Sequence, residues 1–134
     1  MSIQYERDDD RQIVVIALDG AMPSIEDIRK LFQRRRAESV WHYGALYDLR
    51  RMTGRPSFDY LRDLVANAAS FVPHGQTRGP VVFLTADSVL YGIAASFVAF
   101  EGAKANIQVF REIGPAEVWL SDEIRRASID GTKS

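Results

Sequence analysis

The chain of 134 residues contains no cysteine. That removes disulfide frameworks, thiolate nucleophiles and thiolate metal cages, and it suits a reducing, cytoplasmic setting. Histidine is scarce: His42 and His74 are not at a metal-ligand spacing and no carboxylate cluster flanks them, so no metal site is expected. Long apolar runs are missing as well. The longest uncharged and mainly apolar stretch, Ser88 to Phe100, holds 13 residues, against the roughly 20 that span a bilayer, and reads as a buried helix. The opening MSIQYERDDDR lacks the apolar core and cleavage site of a secretory signal. No Gly-x-Ser-x-Gly elbow presents a serine nucleophile. No Gly-x-x-x-x-Gly-Lys-Ser/Thr loop cradles a phosphate, because Gly75 and Gly79 precede a strand instead of following one, and no cofactor is expected. Asp8-Asp9-Asp10 lacks the spaced oxygens and glycine of a calcium loop and reads as a solvated turn. A net charge of −1 argues against a protein that coats nucleic acid.

What is present belongs to an ordinary folded chain, with 46% apolar and 26% charged residues. The length suits one domain, expected over residues 1–127, followed by a polar, flexible tail at 128–134. Ile3 to Glu6 and Gln12 to Leu18 read as strands joined by an acidic turn, hence an antiparallel hairpin. Ile25, Ile28, Leu31 and Phe32 recur at helical spacing behind Ser24, a suitable N-cap, while Arg34-Arg35-Arg36 complements the helix C-terminus. Ala45 to Leu49 is a short buried strand, and Ser57 opens a helix with Leu61, Leu64, Val65 and Ala68 on one face, stopped by Pro73 and Gly75. Pro80 to Ala86 is the run of a central strand covered on both faces. A third helix carries Val89, Leu90, Ile93, Ala94, Phe97 and Val98 and ends at Gly102. Ile107 to Arg111 is the last strand, and Gly114-Pro115 starts a short helix bearing Trp119 and Leu120. The order β-β-α-β-α-β-α-β-α is that of an α/β domain, a mixed sheet covered by helices.

Several short motifs carry a family likeness. Tyr47-Asp48-Leu49 ends a strand before a loop and helix, Val81-Val82-Phe83-Leu84 forms the apolar strand, Tyr91-Gly92 opens the third helix, and Val109-Phe110-Arg111 leads to Ala116-Glu117 and Trp119-Leu120. Over roughly Ile3 to Leu120 the chain resembles bacterial SpoIIAA-like proteins of the STAS/SEC14-like superfamily. The resemblance implies a non-enzymatic module that binds a partner protein, a nucleotide or a lipid-like ligand. It also implies a phosphorylatable serine at the start of the helix after the Asp-Leu strand, the place Ser57 holds here. The Asp-Ser-Ser/Thr-Gly pattern of the phospho-regulated members is replaced by Asp48-Leu49-Arg50-Arg51-Met52-Thr53-Gly54-Arg55-Pro56-Ser57.

Charge is divided unevenly along the chain. Between Arg29 and Arg62 stand nine basic residues (Arg29, Lys30, Arg34, Arg35, Arg36, Arg50, Arg51, Arg55, Arg62) against three acidic ones (Glu38, Asp48, Asp59), an excess of six. Arg50, Arg51 and Arg55 are expected in a strand-to-helix loop, where open α/β sheets bind ligands, and helix N–H groups add positive potential there. The leading reading is a regulatory module that contacts an anionic or lipid-like ligand, or a protein partner, through Asp48, Arg50, Arg51, Thr53, Arg55 and Ser57. A homodimer built on apolar helix faces or the hairpin edge is one alternative. A small hydrolase or isomerase using Asp48 is the other, and it requires a closed pocket in which the Asp48 pKa is raised. The basic residues lack interleaved aromatics, so nucleic acid is not expected as a partner.

Overall fold

The protein is described by a computed structural model of residues 2–71, 78–101 and 106–133. Its elements are β1 (Ser2–Asp8), β2 (Ile13–Gly20), α1 (Ile25–Ala37), β3 (Gly44–Met52), α2 (Phe58–Ser70), β4 (Val81–Leu84), α3 (Ser88–Glu101), β5 (Ile107–Phe110) and α4 (Ile113–Lys133). The five strands lie in the order β1-β2-β3-β4-β5, with β1 antiparallel to β2 and every later pair parallel. Each parallel step moves the chain one strand in the same direction. Right-handed crossovers then place all the connecting helices on one face of the sheet. So it is here: Val14, Ile16, Leu18, Ala45, Tyr47, Leu49, Val81, Phe83, Ile107 and Val109 form one core with Leu31, Leu61, Leu90, Ala94 and Phe97 of the first three helices. The opposite strand positions, Ile13, Leu46, Val82 and Leu84, pack on Ala116 and Leu120 of α4. Val81, Val82, Phe83 and Leu84 are all buried, because β4 is covered on both sides.

Local chemistry sets the helix ends. The Ser24 hydroxyl accepts from the Asp27 N–H at 3.1 Å and starts α1. At its far end the Ser39 N–H donates to the Arg36 carbonyl and the Val40 N–H to the Arg35 carbonyl, both at 3.1 Å, with Ser39 at φ 58. That is a Schellman closure with serine in the left-handed place that glycine usually fills. It folds Val40 and Trp41 back under the helix, and both are buried. The Ser57 hydroxyl accepts from the Tyr60 N–H at 3.1 Å at the start of α2.

Two elements run longer than the sequence suggests. β3 continues from Leu49 to Met52, so Arg50 and Arg51 belong to a strand and not to a loop. The last helix extends to Lys133, carried past Leu120 by i,i+3 ion pairs Arg125–Asp122 and Arg126–Glu123, where a short helix and loose tail were expected. The expected stops at Pro73, Gly75 and Gly102, and His74, lie outside the described residues, as do the side chains of Val65 and Phe100 and those from Ser128 onward.

Candidate functional site

The register of β2 on β3 shifts between Ala17 and Asp19: Ala17 pairs with Asp48 and Asp19 with Arg51, which leaves one extra residue in β3. A regular strand alternates its side chains, so residues three apart face opposite ways. The bulge reverses that alternation. As a result Leu49 and Met52 both wall an apolar crevice with Leu18, Pro23, Pro56, Tyr60 and Leu61. Ile28, Tyr47, Leu64 and Phe83 line this crevice and also its continuation toward Phe32 and Arg78. From Tyr47 to Met52 the strand rise amounts to about 16 Å. Each of the two parts encloses about 20 Å³, room for a single water. The crevice is thus closed in this structure.

The mouth of the crevice is fastened by polar contacts. The Tyr60 hydroxyl donates to the Pro23 carbonyl at 2.7 Å, joining α2 to the entry of α1, and burial pushes its pKa up to about 12. The Ser57 cap adjoins it. Arg55 leaves the loop to meet Asp87, with Nε and Nη2 each 3.1 Å from Oδ2. The other Asp87 oxygen accepts from the N–H groups of Val89 and Leu90 at 2.8 and 3.2 Å, capping α3. These backbone bonds, and then Arg55, hold the Asp87 carboxyl below its ordinary range. Thr53 donates its N–H to the Gly20 carbonyl at 2.8 Å, securing the end of β3 to the end of β2.

The basic residues of the segment are paired. Arg50 holds Asp48 bidentately, Arg51 stands 3.9 Å from Asp19, and Arg55 binds Asp87. Arg29, Arg34 and Arg62 likewise lie within 4 Å of carboxylates. Six of the nine basic residues between Arg29 and Arg62 therefore face an acid, three of them (Arg29, Arg51 and Arg55) an acid outside that stretch, so the excess of six visible in the chain is halved in space. Arg50 lowers the Asp48 pKa through its hydrogen bond, against the opposing effect of burial. That direction is opposite to the one a general acid at Asp48 requires. Asp8 and Asp9 are engaged by Arg11, Arg7 and the Tyr43 hydroxyl. Among the described residues no cluster of His, Asp or Glu could hold a metal ion, and no helix is long and apolar enough to cross a membrane. A wider groove of about 530 Å³ at the hairpin is lined by Glu6, Arg7, Asp8, Asp9, Asp10 and Arg11, whose basic members are already paired with acids.

Arg35 departs from the role of a helix-end charge. Of the nine basic residues it alone is buried. The signal was in the spacing, since it lies seven residues after Ile28, four after Leu31 and three after Phe32, on the apolar face of α1. Arg78 was missed for another reason: nothing in its local sequence separates a cation at a strand entrance from an exposed loop residue.

No family model and no curated protein matches the chain. Among solved structures it is similar to an uncharacterised protein of the DUF3478 family from Shewanella loihica PV-4 with a SpoIIAA-like fold. The TM-score is 0.60 at 17% identity, covering 89% of this chain and 92% of that one. The mixed sheet, with three helices on one face and one on the other, is a SpoIIAA-like fold.

Proposed function

We propose that the protein is a non-catalytic binding and regulatory module that takes a lipid-like ligand through the 48–57 segment, with the ligand's apolar part in the crevice behind it. One observation carries this reading. The β3 bulge turns Leu49 and Met52 toward the same apolar space, and Pro56 closes its rim, so the segment meets a ligand with hydrocarbon rather than with free charge. Asp48, Arg50, Arg51 and Arg55 form paired groups around the rim, and Thr53 and Ser57 fix the two ends of the loop. Pairing by acids explains why a protein with this arginine content presents little free positive potential there.

The reading is tested by native mass spectrometry of freshly purified protein, looking for a retained small molecule, and by titration with dodecanol. Dodecanol is expected to bind the wild-type chain, and Met52→Trp, which fills the mouth, to weaken that binding. Absence of dodecanol binding, or binding indifferent to Met52→Trp, would overturn it.

A further inference from the structure

Arg35 is fully buried at 0% exposure, and no carboxylate partners it among the described residues. Its Nη2 donates to the carbonyl oxygens of Trp41 and Tyr43, both at a long 3.4 Å, and its guanidinium carbon lies 4.6 Å from the centre of the Trp41 ring. These contacts leave Nε and Nη1 without an acceptor. The Nε of Arg78 and the indole Nε1 of Trp41 are enclosed and unpartnered as well. All four orphaned buried polar side-chain atoms among the described residues are thus N–H donors, from three side chains.

The backbone holds these residues together. The Gly79 N–H donates to the Trp41 carbonyl at 3.2 Å, and Gly79 sits so close to the neighbouring chain that a Cβ there would lie 2.1 Å from the Tyr43 carbonyl oxygen. Arg78, one residue earlier, lines the inner end of the crevice beside Tyr47, Phe32 and Ile28. Burial lowers the Arg78 pKa, and the charge of Arg35 pushes it the same way. Residues 72–77, which lead into Arg78, contain no Asp or Glu. Buried cations without a counter-charge are among the costliest arrangements in a protein interior. Buried N–H donors left without acceptors are complementary to an oxyanion, which a guanidinium can grip with two parallel bonds.

We propose that Arg35, Arg78 and the Trp41 indole form an anion-binding site beside the inner end of the crevice, reached where Arg78 lines its wall, which takes the carboxylate or phosphate group of the ligand whose apolar part lies between α1, α2 and β3. This rests on the crevice reading above and names the head group that such a ligand carries. The apolar walls select the chain and the arginines select its charge.

Trp119 lies on the opposite face with α4, so Trp119→Phe leaves Trp41 as the sole tryptophan and a fluorescent reporter of the site. In that background the chain is titrated with dodecanoate, dodecanol and inorganic phosphate, and then again with Arg78→Met or Arg35→Met added. Dodecanoate is expected to bind at least about tenfold more tightly than dodecanol while changing Trp41 emission, from the usual worth of hydrogen bonds to a charged group. In Arg78→Met the ratio is expected to fall toward one; should Arg35→Met fail to fold, Arg78→Met decides alone. Equal binding of dodecanoate and dodecanol overturns the anion site and leaves the crevice. Phosphate binding without either amphiphile supports the anion site for a free oxyanion and removes the crevice reading. Binding of none of the three overturns both, and a preference for dodecanoate that survives both arginine variants overturns the anion site.

Discussion

Arg50 grips the carboxylate of Asp48, two residues earlier on β3, with Nε 2.9 Å from Oδ1 and Nη2 2.8 Å from Oδ2. The Arg50 N–H adds a third bond to Oδ1 at 3.1 Å. The pairing spends an arginine that would otherwise have faced a ligand, and it keeps Asp48 ionised. The Asp48 pKa lies below its ordinary 3.8 in the folded chain. The stabilisation is therefore complete above about pH 5, where the carboxyl is ionised in both states, and is lost as pH falls through the depressed folded value. Arg50→Met should move the Asp48 carboxyl back up toward 3.8 in an NMR titration. It should cost only about 0.5 kcal/mol at neutral pH, because both side chains are partly exposed and water screens the pair. A loss above about 2 kcal/mol would show that the pair carries more than this geometry allows.

Ser57 closes the first turn of α2 through its hydroxyl. Ser57→Ala should lower stability to urea by about 1 kcal/mol. Ser57→Asp should restore most of it, since a carboxylate both accepts the Tyr60 N–H and complements the helix N-terminus. Equal stability of the serine and alanine forms would deny the cap its role.

Gly79 and Gly92 respond to a methyl group in opposite ways. A Cβ on Gly79 meets the backbone oxygens of Tyr43 and His42 at 2.1 and 2.5 Å, and neither can swing aside. Gly79→Ala should cost about 3 kcal/mol. A Cβ on Gly92 meets nothing within 4 Å along α3, so Gly92→Ala should stabilise the protein by about 0.5–1 kcal/mol through helix propensity. Urea midpoints of the two variants check both signs.

Arg35 gives a counterintuitive expectation. Removal of a fully buried, well-paired cation is ordinarily severe, but Arg35 has only two long hydrogen bonds and an aromatic face. Arg35→Met keeps the apolar stem and removes the uncompensated charge, so without ligand it should be neutral or stabilising by about 1 kcal/mol. Thermal unfolding in a buffer free of phosphate and carboxylate measures it. A loss of about 3 kcal/mol or more would mark the guanidinium as a structural strut.

Much of the architecture can be read along the chain. The apolar alternation of Val14, Ile16 and Leu18, the four apolar residues of β4, and the caps at Ser24 and Ser57 depend on neighbours a few residues away, so element order and the α/β class were legible. The end of β3 was not. Arg50, Arg51 and Met52 have no strand signal of their own and are held extended by pairing with Asp19 and Gly20 across the bulge.

The candidate site divides along the same line. By itself the sequence determined that arginine is concentrated between Arg29 and Arg62 and that cysteine and metal-spaced histidine are absent, because these are matters of composition and local spacing. Only the tertiary structure decided which guanidiniums are free. Asp19 and Asp87 lie far from Arg51 and Arg55 along the chain and become their neighbours when parallel strands bring the ends of β2, β3 and β4 together. The same packing buries Arg35 and encloses the Nε of Arg78 with no counter-charge among the described residues, since Coulomb energy and desolvation depend on distances in space that no local pattern encodes.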